Sequence, residues 1–338
     1  MKKSAKKCVF VGMSGGVDSS VSAALLKKDG YDVIGVFIKV WEPEGFVCTW
    51  REDRREAMRV AAVLDIPLVT LDLSKEYERE VVKYMISEYH AGRTPNPDIA
   101  CNREIKFGAF YRWSRKNGAD YVATGHYARI KNGRLTQSED KNKDQTYFLW
   151  TLKSEQLKHC LFPVGDYEKG DVRKLAKKFK LPNFAKRDSQ GLCFIGRLDI
   201  KKFIQRYIKP KRGKVLNEKG EVVGEHDGVW FYTIGERKHG YVIGKDIKKN
   251  ILFVSNKPPQ LPGDQFVRLN DVNWLSKPEK DKHYKTRIRH RGELYSCCLV
   301  REGRSWLVKF RESPVGLAPG QSLVIYEHDT CVGGGVIV

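Results

Sequence analysis

An apolar run, a turn rich in glycine and serine, and a helical pattern follow one another near the start of the chain. They are CVFV at 8–11, GMSGGVDSS at 12–20 and VSAALLKK at 21–28. A strand that passes through a tight turn directly into a helix is the opening of a strand–helix–strand unit, and such units build parallel sheets. The start of the chain therefore favours an α/β architecture.

Strand and helix patterns continue to alternate beyond this opening. Apolar runs predict strands, and a period of 3.6 residues predicts helices. The expected strands are 31–41, 67–73 and 119–128, and the expected helices are 51–66, 74–89 with Ser74 as its cap, and 103–118 ending at a glycine. We therefore expect an α/β fold with a doubly wound parallel sheet, which binds ligands at the carboxyl ends of its strands. A polar stretch at 129–146 predicts an exposed loop or a short hairpin.

The sequence texture changes near residue 204, where short β-like runs separated by glycine begin. Such strands build small barrels. The PPQLPG cluster at 258–263 predicts a hinge before a final all-β segment that ends in GGGVIV. We expect three domains: a nucleotide-binding and catalytic α/β domain over 1–203, a central β-rich domain over 204–262, and a C-terminal β-barrel over 263–338.

The turn at 12–20 has the composition of an anion site. It carries two adjacent glycines, several serines and one aspartate ahead of a helix. Backbone N–H groups, hydroxyls and the positive end of the helix dipole can then point at one phosphate. A plain connector or a helix cap is the alternative, but a cap needs only one such residue. No Lys-Ser or Lys-Thr closes the turn, so the Walker pattern and its phosphate-binding lysine are absent.

The charge of the chain indicates a polyanionic partner. Lysine and arginine number 62 against 41 acidic residues, a formal net charge of +21. This excess exceeds what solubility requires, and nucleic acid is the partner that it favours. A skewed composition would give the same total with the charge scattered evenly.

One basic pattern is more specific than the total charge. Lys285, Arg287, Arg289 and Arg291 occupy every second position of HYKTRIRHRGELY at 283–295. A strand through this stretch would place all four on one face, roughly 7 Å apart, which suits a phosphate backbone. The alternative is an ordinary solvated strand face.

The remaining composition argues against a membrane or secreted protein. No apolar run is long enough to span a bilayer, and the basic N-terminus runs straight into the glycine-rich turn, unlike a signal peptide. The eight cysteines show no C-x-x-C spacing, which excludes a zinc ribbon and a disulfide scaffold. We expect a cytoplasmic protein with free thiols, no metal site and no membrane partner.

Two cysteines lie in polar, electropositive surroundings and are candidates for chemistry. We expect Cys101 to lie in a proline-rich loop just before the helix, near Arg93 and Arg103, and Cys193 to follow the turn KRDSQG. A helix N-terminus and neighbouring cations favour a thiolate, so two such thiols could exchange sulfur or form a transient disulfide. Asp98, three residues before Cys101, can serve as acid or base.

The motifs together resemble a known family. SGGVDSS resembles the pyrophosphate loop of the PP-loop ATP pyrophosphatases, whose pattern is SGGxDS, which implies cleavage of ATP between the α- and β-phosphates. Eight motifs, in this order, cover essentially the whole chain and are similar to those of the tRNA-specific 2-thiouridylase (MnmA) family: GMSGGVDSS, GVFIKVW, RTPNPDIACNREIKF, ATGHYARI, KDQTYFLW, DSQGLCFIG, GVWFYTIGERKHG and APGQSLVIY.

This resemblance implies an activity and its partners. The family thiolates carbon 2 of the wobble uridine in Glu, Gln and Lys tRNAs. ATP, with Mg²⁺, activates the carbonyl oxygen, and sulfur then replaces it. The partners implied are tRNA and a protein that delivers sulfur, either a cysteine desulfurase or a sulfur-relay protein.

The resemblance also implies residue roles. Cys193 would carry the persulfide, and Cys101 would liberate sulfide or close a disulfide with Cys193. Asp98 would be the acid/base residue, and Asn96, Pro97 and Asp98 would line the pocket of the flipped uridine.

Two further groups of residues follow from the matching motifs. Those implied to bind the nucleotide are Gly12, Met13, Ser14, Gly15, Gly16, Val17, Asp18, Ser19, Ile38 and Gly125. Those implied to contact tRNA are Lys143, Asp144 and Gln145. The basic alternation described above adds Lys285, Arg287, Arg289 and Arg291 of the barrel, with Ile288 between two of them. Many relatives have Met in place of Ile38 and Tyr in place of Ile288. The first difference preserves apolar contact, whereas the second removes a ring that could stack on tRNA.

Three alternatives stay open at this point. The chain could use the same ATP chemistry on another acceptor, as an ATP-dependent ligase. It could be an RNA-binding protein without enzymatic activity. It could also be a thiolase in which Asp98, Cys101 and Cys193 hold an iron–sulfur cluster instead of relaying a persulfide.

Overall fold

The structure is a computed structural model that describes residues 6–43, 45, 50–187, 199–260, 266–279 and 282–338. The chain divides into two compact units. Unit 1 comprises Met1–Val81, Asp98–Leu198 and Asp329–Cys331, and unit 2 comprises Val82–Pro97, Asp199–His328 and Val332–Val338.

Unit 1 contains a five-stranded sheet in which every pairing is parallel. Its strands are β1 (Cys8–Gly12), β2 (Asp32–Lys39), β3 (Leu68–Asp72), β4 (Tyr121–Ala123) and, after the hairpin described below, β7 (Cys160–Leu161). The spatial order is β3-β2-β1-β4-β7. The order reverses between β1 and β4, which is the topological switch point of a doubly wound sheet. The predicted α/β class is confirmed.

Helices alternate with these strands, as the periodicity predicts, and further helices follow the last strand of the sheet. They are α1 (Val17–Lys28), α2 (Trp50–Val63), α3 (Ser74–Tyr77), α4 (Lys83–His90), α5 (Pro97–Ala100), α6 (Tyr111–Lys116), α7 (Ser154–Leu157), α8 (Lys169–Lys178) and α9 (Ile200–Ile204). A π-helical stretch (Glu78–Val82) joins α3 to α4, and another (Cys101–Phe110) joins α5 to α6. The core of unit 1 lies where α1 and α8 pack on the sheet, around Val9, Val11, Leu25 and Val172.

Two helix boundaries differ from the prediction. Ser74 does not cap its helix: it is the first helical residue, and its N–H and hydroxyl both donate to Oδ1 of Asp72. The carboxylate two residues earlier accepts from both donors, so the Ser74 hydroxyl is not used as a helix cap. The helix expected to begin at Arg103 begins at Pro97, because proline suits the first helical position.

The polar stretch after β4 forms a hairpin, which is one of the two structures predicted for it. Strands β5 (Ala128–Lys131) and β6 (Arg134–Gln137) pair antiparallel across Asn132 and Gly133, whose φ angles are +50° and +73°. Asparagine and glycine tolerate this left-handed conformation and close a two-residue hairpin.

Unit 2 contains a four-stranded sheet and a barrel. The sheet has the order β10-β11-β8-β9, with β8 (Gly213–Leu216), β9 (Val222–His226), β10 (Tyr241–Asp246) and β11 (Ile251–Ser255). The barrel strands are β12 (Phe266–Trp274), β13 (His283–Arg287), β14 (Tyr295–Glu302), β15 (Ser305–Phe310), β16 (Ser322–Glu327) and β17 (Thr330–Ile337).

The six barrel strands close on themselves. They follow the order β12-β15-β14-β13-β16-β17, and β12 pairs with β17 to complete the ring, for example Leu269 opposite Ile337. The interior holds Val267, Leu299, Leu323 and their neighbours. The predicted C-terminal barrel is confirmed. The predicted hinge at 258–263 lies in part outside the described residues.

Candidate functional site

The glycine-rich turn leaves β1 at the switch point of the parallel sheet. Gly12 ends β1, and α1 begins at Val17. Gly125 follows β4, the neighbouring strand, by two residues. Ile38 is the penultimate residue of β2, where it is 4% exposed. The predicted nucleotide residues therefore lie at the carboxyl ends of β1, β2 and β4, where doubly wound sheets bind ligands.

The turn is shaped by its own serines. Ser19 Oγ accepts from the Ser14 N–H at 3.2 Å and donates to the Gly16 carbonyl at 3.1 Å. Ser20 donates to the same carbonyl over 2.8 Å. Gly15 has φ +72°, and a Cβ there would overlap the backbone of Asp53. Glycine is thus required at this position for both its conformation and its space.

Gly125 is held against the start of α1. A Cβ at this glycine would lie 2.6 Å from the Ser19 nitrogen and 2.8 Å from the Asp18 carbonyl carbon. Backbone atoms cannot yield to such a contact as a flexible side chain can. The absence of a side chain therefore lets β4 and the turn approach one another.

The residues present fit the phosphates of a nucleotide. Gly16 occupies the cap position of α1, and no side chain caps the helix there. The N–H groups of the first turn point out of the helix end without partners within the helix. Together with the helix dipole they favour an anion.

An acidic residue of the turn is already paired with a lysine. Asp18 Oδ1 accepts from Lys169 Nζ at 2.6 Å and from the Tyr127 hydroxyl at 3.0 Å. The side chain of Lys169 is 13% exposed and that of Asp18 is 30% exposed. Lys169 is the first residue of α8, which packs on α1. The ion pair holds the Asp18 carboxylate in place beside the turn.

A second lysine reaches the turn from farther along the chain. Lys186 Nζ lies 2.7 Å from Asp53 Oδ1 and 3.2 Å from the Gly15 carbonyl oxygen. The Asn183 amide donates to the same carbonyl over 3.0 Å and to Ser20 Oγ over 2.9 Å. The sequence analysis missed Lys169, Lys186 and Asn183. The signals in the sequence were weak: Lys169 begins a basic helical stretch, and Lys186 is the first residue of the turn KRDSQG.

His126 completes the edge of the site as a buried neutral base. Its Nδ1 lies 2.7 Å from Thr124 Oγ1, and its Nε2 lies 3.3 Å from Lys106 Nζ. The ammonium can only donate, so Nε2 accepts and Nδ1 carries the proton. Burial, and next the charge of Lys106, hold the pKa of His126 well below its usual value. The two contacts hold the ring of His126 in one orientation, next in sequence to Gly125.

Asp98 and Cys101 lie on one continuous helical segment. Asp98 is in the first turn of α5 and half-buried, and Cys101 follows three positions later with 0% of its surface exposed. Residues three apart share a helix face, so the two groups are neighbours. The prediction that Cys101 stands in a loop ahead of the helix is wrong, because the helix begins earlier. Cys193 lies outside the described residues.

The other residues assigned to the target base are half-buried. Asn96 and Pro97 belong to unit 2, and Asp98 belongs to unit 1.

Asp144 has a structural role in the segment assigned to tRNA contact. It is 2% exposed, and its carboxylate accepts from the Ser138 N–H at 3.2 Å and from the Thr146 hydroxyl at 2.8 Å. A carboxylate buried among its own loop's donors is not presented to a polyanion. Lys143 and Gln145, in contrast, are half-buried, and the Gln145 side chain accepts from the Tyr127 N–H.

The four basic residues of the barrel do not lie on one strand. β13 ends at Arg287, so only Lys285 and Arg287 belong to the strand. Arg289 and Arg291 are exposed in the turn that follows, where Arg291 has φ +57°. A residue in that conformation cannot continue a strand. The predicted single face of four cations is therefore wrong, although all four are at least partly accessible.

Ile288 contributes to the barrel core. Its side chain is 3% exposed and packs with Tyr284 and Tyr295 in the interior cluster. The apolar residue follows the inward register of Tyr284 and Thr286, so its side chain faces the barrel core, and a contact of this position with tRNA stays a prediction.

None of the described cysteines forms a disulfide. They are Cys8, Cys101, Cys160, Cys297, Cys298 and Cys331. Burial raises the pKa of Cys160 and of Cys297 to about 12, so neither is a nucleophile at neutral pH. In the part of the chain that the structure describes, no group of three or more potential metal ligands occurs. No helix in the same part is long and apolar enough to cross a membrane.

Family models match almost the entire chain in three parts. The model for a tRNA methyl transferase HUP domain matches residues 7–197, that for a tRNA methyl transferase PRC-barrel domain matches 201–256, and that for an aminomethyltransferase beta-barrel domain matches 264–337.

Similar proteins align over nearly their full length. The tRNA-specific 2-thiouridylase MnmA of Nitrosomonas europaea is 44% identical, over 98% of this chain and 98% of its own. The protein of the same name from Listeria monocytogenes is 44% identical, over 97% of this chain and 94% of its own. That from Shouchella clausii is 42% identical, over 100% of this chain and 98% of its own.

Proposed function

The chain belongs to the tRNA-specific 2-thiouridylase family, and from this premise we propose that it replaces the C2 oxygen of the wobble uridine of tRNA with sulfur. The proposed substrates are the Glu, Gln and Lys tRNAs, and the proposed sulfur source is a cysteine desulfurase or a sulfur-relay protein. Two family models carry a methyl-transferase description. We follow the relatives because they match this chain from end to end.

One observation in the structure supports the use of a nucleotide. The turn Gly12–Ser19 and Gly125 meet at the switch point, and the first turn of α1 has no side-chain cap. Gly15 lets the turn pack against the backbone of Asp53, and Gly125 lets the segment after β4 pack against the start of α1, so the two glycines fix the shape of the turn. Such a cradle offers backbone N–H groups to a pyrophosphate.

ATP, with Mg²⁺, would make the C2 oxygen a leaving group: this oxygen bonds to the α-phosphorus while the bond to the β-phosphate breaks and pyrophosphate departs. The turn Gly12–Ser19 would hold the phosphates, and Ile38 and Gly125 would border the rest of the nucleotide. Asp98 would move a proton at the base.

Sulfur can pass from the persulfide to C2 by two routes in which atoms and electrons balance. In the first, the terminal sulfur of the Cys193 persulfide bonds to C2 as AMP leaves. The Cys101 thiolate then bonds to the Cys193 sulfur, and the electron pair of the broken S–S bond stays with the sulfur on the base. In the second, Cys101 attacks the persulfide first, and the released hydrosulfide displaces AMP. Both routes end in a Cys101–Cys193 disulfide, so an external thiol reductant must restore the two cysteines.

A direct assay tests this proposal. The protein is incubated with ATP, Mg²⁺, a desulfurase with cysteine, a thiol reductant and unmodified tRNA, and the digested tRNA is examined for 2-thiouridine by mass spectrometry. We expect one AMP for each 2-thiouridine. Failure to form 2-thiouridine, with no AMP released in the presence of tRNA, would show that the proposal is wrong.

Cysteine variants separate the roles of the thiols. Cys101→Ala and Cys193→Ala should abolish thiolation, whereas Cys8→Ser should retain it, because Cys8 lies at the opposite end of β1 from the turn. Activity of Cys193→Ala at the wild-type level would contradict the persulfide assignment. Visible absorbance that appears on anaerobic reconstitution with iron and sulfide, and is lost in Cys101→Ala, would indicate a cluster instead.

A further inference from the structure

We propose that Lys186 is a ligand for the β- and γ-phosphates at the turn Gly12–Ser19, and that Asp53 holds its ammonium in place until the nucleotide binds. This proposal rests on the proposed function, since it names a further residue of the same nucleotide site. Lys186 lies outside every motif that carried the resemblance.

The turn lacks a cation of its own. No lysine or arginine occurs between Gly12 and Ser20, and the one charged side chain there is the carboxylate of Asp18. ATP and pyrophosphate bring several negative charges, which backbone N–H groups and a helix dipole offset only in part. A site without the Walker lysine lacks one of the cations that usually offset this charge together with Mg²⁺, so a cation from elsewhere in the fold would strengthen binding.

Among the described residues, Lys169 and Lys186 approach the turn, and they differ in how they are held. Lys169 forms an ion pair with Asp18 and is 13% exposed, so its positive charge already compensates the carboxylate of the turn. Lys186 is 31% exposed, and its partner Asp53 is 32% exposed. An ion pair that is open to water contributes little to stability and can be exchanged. Lys186 is therefore the cation that can turn to a ligand.

The position of Lys186 does not depend on its own ion pair. Asn183, three residues earlier, is 3% exposed and donates to both the Gly15 carbonyl and Ser20 Oγ. These bonds tie the segment to the turn. The lysine side chain has a flexible four-carbon stem, so its ammonium can move by a few ångströms while the backbone stays fixed.

The present contacts show the reach of the ammonium. Nζ lies 3.2 Å from the Gly15 carbonyl oxygen and 2.7 Å from Asp53 Oδ1. Gly15 is the residue whose backbone would lie against the phosphates, so a phosphate oxygen at the turn is within the same reach. A polyphosphate carries more charge than the single carboxylate that it replaces, and the exchange is electrostatically favourable.

Binding measurements on the full chain test the proposal without any need for turnover. The dissociation constants of pyrophosphate, ATP and AMP are measured by calorimetry for wild type, Lys186→Met, Asp53→Asn and the double variant. Lys186→Met should weaken pyrophosphate and ATP binding about tenfold or more, since a charge-assisted hydrogen bond is lost. AMP, which lacks the β- and γ-phosphates, should change less than about twofold.

Asp53→Asn distinguishes a ligand from a structural pair. If Lys186 binds phosphate, removal of its competing carboxylate should leave pyrophosphate binding unchanged or tighter, and any gain should vanish in the double variant. If the pair only supports the turn, Asp53→Asn should weaken pyrophosphate as much as Lys186→Met does, and the proposal is then overturned.

Two controls complete the design. Lys174→Met removes a charge from the same unit at a side chain that is 80% exposed and paired with Asp171, and it should leave all three affinities unchanged. Lys186→Gln serves if Lys186→Met fails to fold. Wild-type affinity for pyrophosphate in the Lys186 variants overturns this proposal alone. No binding of ATP or pyrophosphate to the wild-type protein overturns this proposal and the proposed use of ATP together.

Discussion

The ammonium of Lys169 lies 2.6 Å from Oδ1 of Asp18, across 151 residues of sequence. The contact joins the first turn of α1 to the first residue of α8, and the two helices pack together on the sheet. The acidic residue of the glycine-rich turn is thus neutralised by the fold before any ligand arrives.

Lys169→Met should leave the Asp18 carboxylate without its cation beside the phosphate site. We expect weaker ATP binding, and a loss of about 1–2 kcal/mol in the free energy of unfolding, because the pair is partly rather than fully buried. Urea unfolding and ATP titration measure the two effects. In Asp18→Asn/Lys169→Met, most of the lost stability should return. A Lys169→Met protein as stable as wild type would contradict this account.

Alanine at Gly125 should be far more harmful than alanine at Gly12. A Cβ at Gly125 meets the Ser19 backbone nitrogen at 2.6 Å, whereas one at Gly12 meets only ordinary contacts, at 3.5 Å from Phe110 and 3.8 Å from Ala123. We expect Gly125→Ala to lower the free energy of unfolding by about 1–3 kcal/mol and to weaken ATP binding. Gly12→Ala should change stability by less than about 1 kcal/mol. Equal effects in chemical denaturation would contradict the packing described.

The protein should lose stability as the pH falls below about 6.5. Burial lowers the pKa of His126 well below 6.5, so below that pH the unfolded chain binds a proton that the native protein does not. The free energy of unfolding then decreases by up to about 1.4 kcal/mol per pH unit for this group. Urea titrations between pH 5 and pH 8 measure the slope. His126→Asn should reduce it without abolishing it, because burial also lowers the pKa of His226, and that of His290 to about 4.

Substitutions at Asp144 and Lys143 should have separate effects, the first on stability and the second on RNA affinity. Asp144→Ala removes the acceptor of the Ser138 N–H and the Thr146 hydroxyl, and we expect a loss of about 1–3 kcal/mol in unfolding free energy. Lys143→Met should leave stability unchanged within about 0.5 kcal/mol, while weakening tRNA binding if this lysine contacts the backbone. Filter binding and thermal melts of both variants provide the comparison. Loss of stability in Lys143→Met alone would reverse the assignment.

The barrel offers a similar contrast. Arg289→Ala and Arg291→Ala should each lower tRNA affinity and reduce by about one the slope of log affinity against log salt concentration. Ile288→Ala should instead destabilise the protein by about 2–4 kcal/mol, because it opens a cavity in the barrel core. Salt titrations of binding and denaturant melts distinguish the two. A reduced salt slope in Ile288→Ala with full stability would contradict its burial.

The parts of the fold that repeat a simple period could be predicted. Apolar runs gave β1 to β3, and the alternation with helices gave a parallel sheet with its ligand edge. The basic alternation failed as a strand signal beyond Arg287, because charged residues every second position are equally compatible with a strand and with the irregular turn at Arg291.

The parts of the site that depend on packing could not be predicted. Gly125 reached the site through a motif, but Lys169, Lys186 and Asn183 pair with residues more than a hundred positions away. Their partners are decided by how α8 packs on α1, and a single sequence carries no local signal for that. Cys101 shows the same limit, since its burial follows from the extra helical turn that begins at Pro97.

The pairing of β12 with β17 closes the barrel, and the barrel is therefore sensitive to cleavage within β17. β17 hydrogen-bonds to β16 on one side and to β12 on the other. Proteolysis or a premature stop within β17 would expose two strand edges at once, and unpaired edges recruit strands from other molecules. Such trimmed chains should therefore self-associate into aggregates.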